Sequence, residues 1–538
     1  MEDHIFNAIL LVISLTFFSI FIWKTKLCKL SKSQYPFPPE IPGGWPVIGH
    51  LLQFSGKGNM TLSKKLGFLA DKYGPVFSFR LGLPRIVVVS SYDAVRDCLN
   101  TNDKVLSDRP PSLAGEYIGY NNAMLFLATY GNYWRKVRKI VIREVLSNSR
   151  LEKMKNVRVS EVQMSIKELY SLFSVTRDNL HSVTTGDSFP VKVNLTKWLE
   201  KLTLSLIFKL VAGKNYRSLE KGGNEEEEIE RFKKALKDFV YIAMELDLWD
   251  AFPIPLFKWI DLQGHVKFMK RAFKDIDCVL QKWLDEHVKK REEADDVVAG
   301  NEKDFIDVLI SNEDFADSYT RETTIKATAL SMVLDASDTT SVHSNWVMAT
   351  LLNHRDVMKK VQEELDREVG RNRWVEESDI KNLVYFQAVV KETLRLYPPV
   401  PVLVPRECLE DCVVQGYHIP KGTRLWVNSM KLMRDPKIWS NPDTFDPERF
   451  LTSQAGVDVR GQHYEFIPFG SGRRSCPGIT YATQVTHLAI AHLLQGFDFS
   501  TPSNEPLDMK EGLGMTMRKV NPIEVFITPR LPSVLYKF

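Results

Sequence analysis

Near its C-terminal end the chain reads Phe466-Ile467-Pro468-Phe469-Gly470-Ser471-Gly472-Arg473-Arg474-Ser475-Cys476-Pro477-Gly478, and then enters an apolar helical pattern through Ile479, Ala482, Val485 and Leu488. The glycines and prolines make the first stretch a loop, which places Cys476 just before a helix N-terminus. Unpaired amide N–H groups and the positive end of the helix dipole both favour a thiolate at such a position. Pro477 has no N–H to give, but Gly478 has one.

A thiolate held by backbone amides, with no second cysteine in reach, is a good axial ligand for haem iron, to which it donates electron density that favours O–O cleavage. The glycines allow backbone to approach a flat macrocycle, and Arg474 supplies a fixed cation of the kind a haem propionate pairs with. The plainer alternative is an inert cysteine buried in a turn. Against it, Phe469, Gly472, Arg474, Cys476 and Gly478 form F-x-x-G-x-R-x-C-x-G, which average composition would produce in roughly one chain of this length in ten thousand. The pattern resembles the haem-binding signature of the cytochrome P-450 superfamily.

With 538 residues, 44% of them hydrophobic, the chain can bury a large core. No repeat or composition break divides it after the first fifty residues. A net charge of +4 gives no case for nucleic-acid binding, and six scattered cysteines suit a reducing compartment. Cys408 and Cys412 are the one close pair, and with no second pair or nearby histidines they make a poor zinc site.

Ile5 to Trp23 is almost wholly apolar and just long enough to cross a bilayer as a helix. Glu2 and Asp3 precede it and Lys24, Lys26, Lys29 and Lys32 follow it, the reverse of a cleaved signal peptide. The expectation is a single-pass anchor with the body of the protein on the cytosolic side. A proline-dense segment around Pro36-Phe37-Pro38-Pro39 then reads as a stiff extended spacer. The expected organisation is an anchor and basic stop over 1–33, a hinge over 34–50 and one catalytic domain over 51–538. Within that domain the sequence predicts a helix near Leu62–Tyr73, a hairpin of Val76–Leu81 with Arg85–Val89, and an exposed acidic loop at Gly222–Glu230 that leads into a helix. It also predicts a basic helix from Trp134 to about Leu146, and a long apolar helix from about Thr324 to Leu352. Asp335-Ala336-Ser337-Asp338-Thr339-Thr340-Ser341 interrupts this last helix with poor helix formers, so a local distortion is expected there. Tyr117 to Phe126 has no clean period and reads as an apolar loop, with Phe126 a plausible pocket wall.

The resemblance extends from Pro38 to nearly the last residue, with its signatures in order. It implies a mainly α fold with small β-sheets, the cytochrome P-450 fold, behind an N-terminal transmembrane helix. It also implies haem b with thiolate-ligated iron on Cys476, in the loop that closes at Gly478. Trp134 and Arg138 match the family's W-x-x-x-R and resemble propionate partners, with Arg406 a further one. Asp338 and Thr339 match the acid–alcohol pair on the oxygen side: Thr339 would hold the oxygen by a hydrogen bond while Asp338 relays protons from water. Asp335 stands where the family usually has a small residue; it would pair with a cationic substrate or hydrogen-bond the distorted backbone, the latter being preferred. Glu392, Arg395 and Arg449 match a buried structural triad behind the cysteine loop. Leu403, Val404 and Met515 would be pocket walls.

Within the superfamily, stretches such as GYNNAMLFLATYGNYWRK and LDMKEGLGMTMRKVNP look like the plant microsomal enzymes that oxidise pyrrolidine alkaloids. That implies a small amine substrate, dioxygen, NADPH-cytochrome P-450 reductase as partner and the endoplasmic reticulum membrane as location, with the remaining basic residues near Trp134 docking the reductase. The expected reaction is oxidation of a carbon next to an amine nitrogen. The length of the N-terminus and the Asp335-to-Ser341 run favour oxidative cyclisation of 4-(1-methyl-2-pyrrolidinyl)-3-oxobutanoate to tropinone; the alternative is N-demethylation of nicotine, or hydroxylation of another specialised metabolite.

Overall fold

The computed structural model describes residue 14 and residues 33–537, apart from 55–59, 181–189, 217–223, 243–247, 255–260, 262, 294–302, 313–314, 316–317 and 503. The expected anchor from Ile5 to Trp23 lies outside the described residues; among those described, no helix is long and apolar enough to cross a membrane.

Among the described residues helices dominate, and nine short strands form three small sheets. The expected hairpin is present: β1 (Val76–Arg80) pairs antiparallel with β2 (Arg85–Val89), from Val76 opposite Val89 to Arg80 opposite Arg85. It is part of something larger. Ile86 to Val89 are all buried, as an uninterrupted apolar run requires of an inner strand. On its other side β2 pairs in parallel with a strand more than three hundred residues away, Arg424–Val427, which in turn pairs with Arg406–Glu407. In chain order these are β7 and β4, with β3 (Val191–Asn194), β5 (Cys412–Val414) and β6 (Tyr417–Ile419) between β2 and β7, and β8 (Phe497–Ser500) and β9 (Glu524–Pro529) after them. β3, β9 and β8 form the second sheet, and β5 with β6 the third.

The proline-dense segment is not a free spacer over its whole length. Ile41 is buried, Ser78 N–H donates to Pro39 O at 2.7 Å and His418 N–H to Pro36 O at 2.8 Å. From Pro36 onward the extended chain lies against the first sheet and the β5–β6 hairpin.

The centre is the helix Arg321–Asn353, packed against Leu195–Ala212 and Ile479–Gly496. Its N-cap is Thr320, whose side chain accepts from Thr323 N. The expected distortion at Asp335–Ser341 does not occur: the helix runs unbroken for 33 residues. Its hydroxyls avoid competing with the ladder by bonding back one turn. Ser337 Oγ donates to Val333 O and Thr339 Oγ1 to Asp335 O, both at 2.6 Å. The acidic run leads into a helix as expected, but the helix begins earlier, since Asn224–Ile242 includes Glu225 to Glu228, and carboxylates suit the start of a helix; Gly222 and Gly223 lie outside the described residues. The basic helix is found as Asn132–Ile140 and continues through a wider π-type turn over Val141–Val145.

Candidate active site

The cysteine loop is shaped from a distance. Gly470 and Gly472 both adopt left-handed backbone, with φ of 69° and 70°, and a Cβ on Gly472 would stand 2.3 Å from Asp103 Oδ1. That glycine is required by both conformation and contact. Cys476 N–H donates to Phe469 O at 2.9 Å, and Gly478 N–H points back to Cys476 Sγ at 3.3 Å. Gly478 caps the helix Ile479–Gly496. The N–H therefore reaches the sulfur as expected, and burial works against it in the free thiol. Burial pushes the Cys476 thiol up to about 11, with the Gly478 N–H opposing it, Asp335 adding to it and Arg138 opposing it again. One amide cannot match the loss of water around a sulfur anion; a metal ion at the sulfur would deprotonate it outright.

Four guanidinium groups converge beside this loop. Arg474 lies over the Trp134 ring at 4.3 Å, and Arg138 lies over the same ring at 5.3 Å. Arg474 donates to Ser107 O and Ala128 O, both at 2.7 Å, while its buried Nη1 has no hydrogen-bond partner among the described residues. Arg138 donates to Ser475 O at 2.7 Å. Carbonyl oxygens satisfy N–H groups without cancelling charge, so burial and the nearby Arg406 pull the Arg474 guanidinium down to about 9. A buried cationic cluster with an orphaned N–H, beside a thiol and a glycine-lined loop, fits a thiolate-ligated haem whose propionates are anionic. Cys476 would hold the iron, and Arg474, Arg138 and Trp134 the propionate side.

Arg406 is placed differently from these. It is wholly buried and donates to Asp103 Oδ1 at 3.0 Å and Ser471 O at 2.8 Å. Asp103 also accepts from Arg473 N–H and Arg473 Nη1, each at 2.9 Å. Arg406 thus already has a carboxylate, and its evident work is to clamp the loop. The fourth guanidinium, Arg109, had no sequence signal. Buried, it donates to Phe126 O and Val404 O, both at 2.8 Å, and to Pro405 O at 2.6 Å. It therefore ties together two of the expected pocket walls, which are 278 residues apart (404 minus 126). Phe126, Leu403, Val404 and Met515 are all half-buried. Leu403 approaches the cysteine loop, with Cδ1 3.8 Å from where a Gly470 Cβ would be.

Behind the loop, Glu392 and Arg395 on the helix Val384–Leu396 make a two-pronged pair, with Arg395 Nε and Nη2 each 2.7 Å from a Glu392 oxygen. Arg449 Nε joins at 3.1 Å, so the structure brings all three together, each buried. The remaining guanidinium N–H groups go to backbone: Arg395 Nη1 donates to Met433 O and Pro442 O, and Arg449 Nη1 to Ser440 O.

Facing Cys476 is the middle of the central helix. Residues 325–334 and 340–352 are buried throughout, while 335–339 keep accessible surface, as do 474–480 opposite. The Asp335 charge is felt at Cys476. Thr339 spends its proton on Asp335 O, which leaves its oxygen lone pairs as acceptors. Asp338 is ion-paired with Arg518 through Oδ1, and its buried Oδ2 has no partner among the described residues. The pairing was not legible beforehand, because Arg518 comes from the far end of the chain. The Asp335 carboxylate makes no hydrogen bond among the described residues, contrary to the preferred expectation that it ties down distorted backbone. The side chain is exposed, yet desolvation by the protein around it, then the charge of Asp338, push its carboxyl up to about 8.

An enclosed thiol in a clamped glycine loop, a guanidinium cluster beside it and an acid–alcohol pair opposite define a haem-thiolate oxygenase. The sequence matches the cytochrome P450 family over residues 38–526. It is 61% identical to nicotine N-demethylase CYP82E3 of Nicotiana tomentosiformis over 98% of this chain and 99% of that one, and equally identical to nicotine N-demethylase CYP82E4 of Nicotiana tabacum over the same shares. It is 47% identical to vinorine hydroxylase of Rauvolfia serpentina, over 96% of this chain and 95% of that one. A solved zebra fish cytochrome P450 with progesterone superposes with a TM-score of 0.71 at 26% identity, covering 88% of this chain and 100% of that one. The chain belongs to the cytochrome P450 family. It is a plant monooxygenase, an oxidoreductase that uses dioxygen, electrons from a redox partner and a thiolate-ligated haem.

Proposed function

We propose that this monooxygenase oxidises the carbon next to the amine nitrogen of an N-methylpyrrolidine alkaloid, and that N-demethylation of nicotine is the reading supported best. The observation that carries it is 61% identity to nicotine N-demethylases along the whole chain, against 47% to the vinorine hydroxylase. This reverses the order of the two reactions expected from sequence. Oxidative cyclisation to tropinone is the second reading, and it rests on the aspartate at 335, where the family usually has a small residue.

Haem with a thiolate ligand, when bound, supplies oxygen activation. The chain's own residues supply the rest. Phe126, Leu403, Val404 and Met515 would enclose the substrate, and Asp338 and Thr339 would manage protons opposite Cys476. Replacing Thr339 with alanine is expected to lower product formation by roughly tenfold or more while NADPH is still consumed and peroxide accumulates; unchanged coupling would remove Thr339 from this role. Residues 1–33 would anchor the protein in the endoplasmic reticulum membrane ahead of the hinge at 34–50. The catalytic domain, 51–538, would then lie on the cytosolic side, with exposed Arg135 and Lys139 offered to NADPH-cytochrome P-450 reductase.

The test is product analysis in microsomes holding this protein and a reductase, given NADPH and either nicotine or 4-(1-methyl-2-pyrrolidinyl)-3-oxobutanoate. Nornicotine and formaldehyde from the first support the demethylase reading. Tropinone from the second makes the protein a cyclising oxidase, and neither product overturns both.

A further inference from the structure

We propose that Asp335 is the substrate-binding residue that selects a basic amine, sharing one proton with its nitrogen. The inference deepens the substrate reading above and rests on it only for the choice of alkaloid.

Its basis is the pattern of charge on the cysteine-facing stretch of the central helix. Two carboxylates stand there one turn apart, and they are treated differently by the fold. Asp338 has Arg518. Asp335 has neither a cation nor a hydrogen-bond donor for its carboxylate among the described residues, and its side chain is exposed on the stretch whose charge is felt at Cys476. Its neighbours along the helix, Val333 and Leu334, are fully buried apolar residues. A carboxylate so placed has apolar neighbours along the helix and no cationic donor of its own, unlike Asp338. A protonated tertiary amine has one N–H and one positive charge, which is what one unpaired carboxylate can satisfy.

The proton inventory is simple. An ammonium beside a carboxylate and a neutral amine beside a carboxylic acid hold the same single proton, and passage between them breaks one N–H bond and forms one O–H bond without redox change. Burial and the negative Asp338 already favour the carboxylic acid. With the proton on Asp335, the nitrogen lone pair is free and weakens the C–H bonds beside it, the bonds this class of substrate loses. Asp335 would therefore both recognise the cation and release the reactive base form.

The experiment is equilibrium binding of radiolabelled nicotine and of its non-basic lactam, cotinine, to the full-length holoprotein in microsomes. Wild type would be compared with Asp335→Asn and Asp335→Glu, each first shown by the reduced CO spectrum to keep its thiolate-bound haem. Asp335→Asn is expected to raise the nicotine Kd about tenfold or more, as loss of a charge-assisted hydrogen bond does, and to leave the cotinine Kd within about twofold. Asp335→Glu should recover part of the difference. Equal losses for both ligands, or no loss for nicotine, would overturn the proposal. If wild type binds no nicotine, the alkaloid assignment fails by itself, and a panel of other N-methyl cyclic amines and their lactams decides. A preference for amine over lactam that Asp335→Asn abolishes sustains the inference, and no such preference in wild type refutes it.

Discussion

Changing Cys476 to serine is expected to abolish the red-shifted Soret band of the reduced, CO-bound protein and to bring monooxygenase activity to background, while the fold survives. The fold should survive because the sulfur is not what shapes the loop. The loop is set by Cys476 N–H on Phe469 O, by left-handed Gly470 and Gly472, and by Arg406 and Asp103. A serine hydroxyl can still accept from the Gly478 N–H, but it is a poor ligand for ferric iron beside a thiolate's softness and donating power. Absorption spectra, haem content and far-ultraviolet circular dichroism on one preparation would check this. A retained thiolate-type band would mean that another cysteine ligates the iron, and the site described here would be the wrong one.

The second large effect is expected from Glu392→Ala. That substitution leaves the Arg395 guanidinium buried without its carboxylate, and Arg449 with only Asp446 at 3.6 Å. Breaking a buried ion pair by removing one partner costs about 3–5 kcal/mol, a large share of the roughly 5–15 kcal/mol that separates folded from unfolded domains. The triad holds the turns at Met433, Pro442 and Thr444 as well as the helix, through Arg395. A lower melting temperature should therefore come with poor haem retention, and Arg395→Lys should be milder, since lysine keeps the charge and loses the two-pronged geometry. A melting curve and haem content equal to wild type would mean that the carbonyl bonds alone suffice to hold the two arginines.

Much of this site was legible because its chemistry is local in sequence. F-x-x-G-x-R-x-C-x-G, E-x-x-R and the adjacent Asp338-Thr339 are each short enough for residue type and spacing to carry meaning, and the structure brings each set to one place. What was not legible depends on distance or on competing energies. Arg109 is an isolated arginine whose acceptors lie at 126, 404 and 405, and Arg518 reaches Asp338 across 180 positions. At Cys476 the helix N-terminus that favours a thiolate is opposed by burial, which depends on residues remote in sequence. Serine and threonine compete with the backbone, which is why the sequence predicts a local distortion in the central helix; here they bond back to residues one turn earlier and leave the ladder whole. The acidic run beginning near Gly222 leads into a helix as its sequence suggests, but the boundary falls earlier, because carboxylates near a helix start are favourable.

The clamp on the cysteine loop also has a bearing on biosynthesis. Asp103 lies in the first fifth of the chain, while Arg406, Ser471, Gly472 and Arg473 lie in the last quarter. Contacts of such long sequence separation close late in folding, and on the ribosome Asp103 has emerged long before the residues it positions are made. The loop's shape is therefore set only once most of the chain has been made. Haem capture should come late in synthesis, and a nascent polypeptide stalled before residue 470 should bind none in this manner.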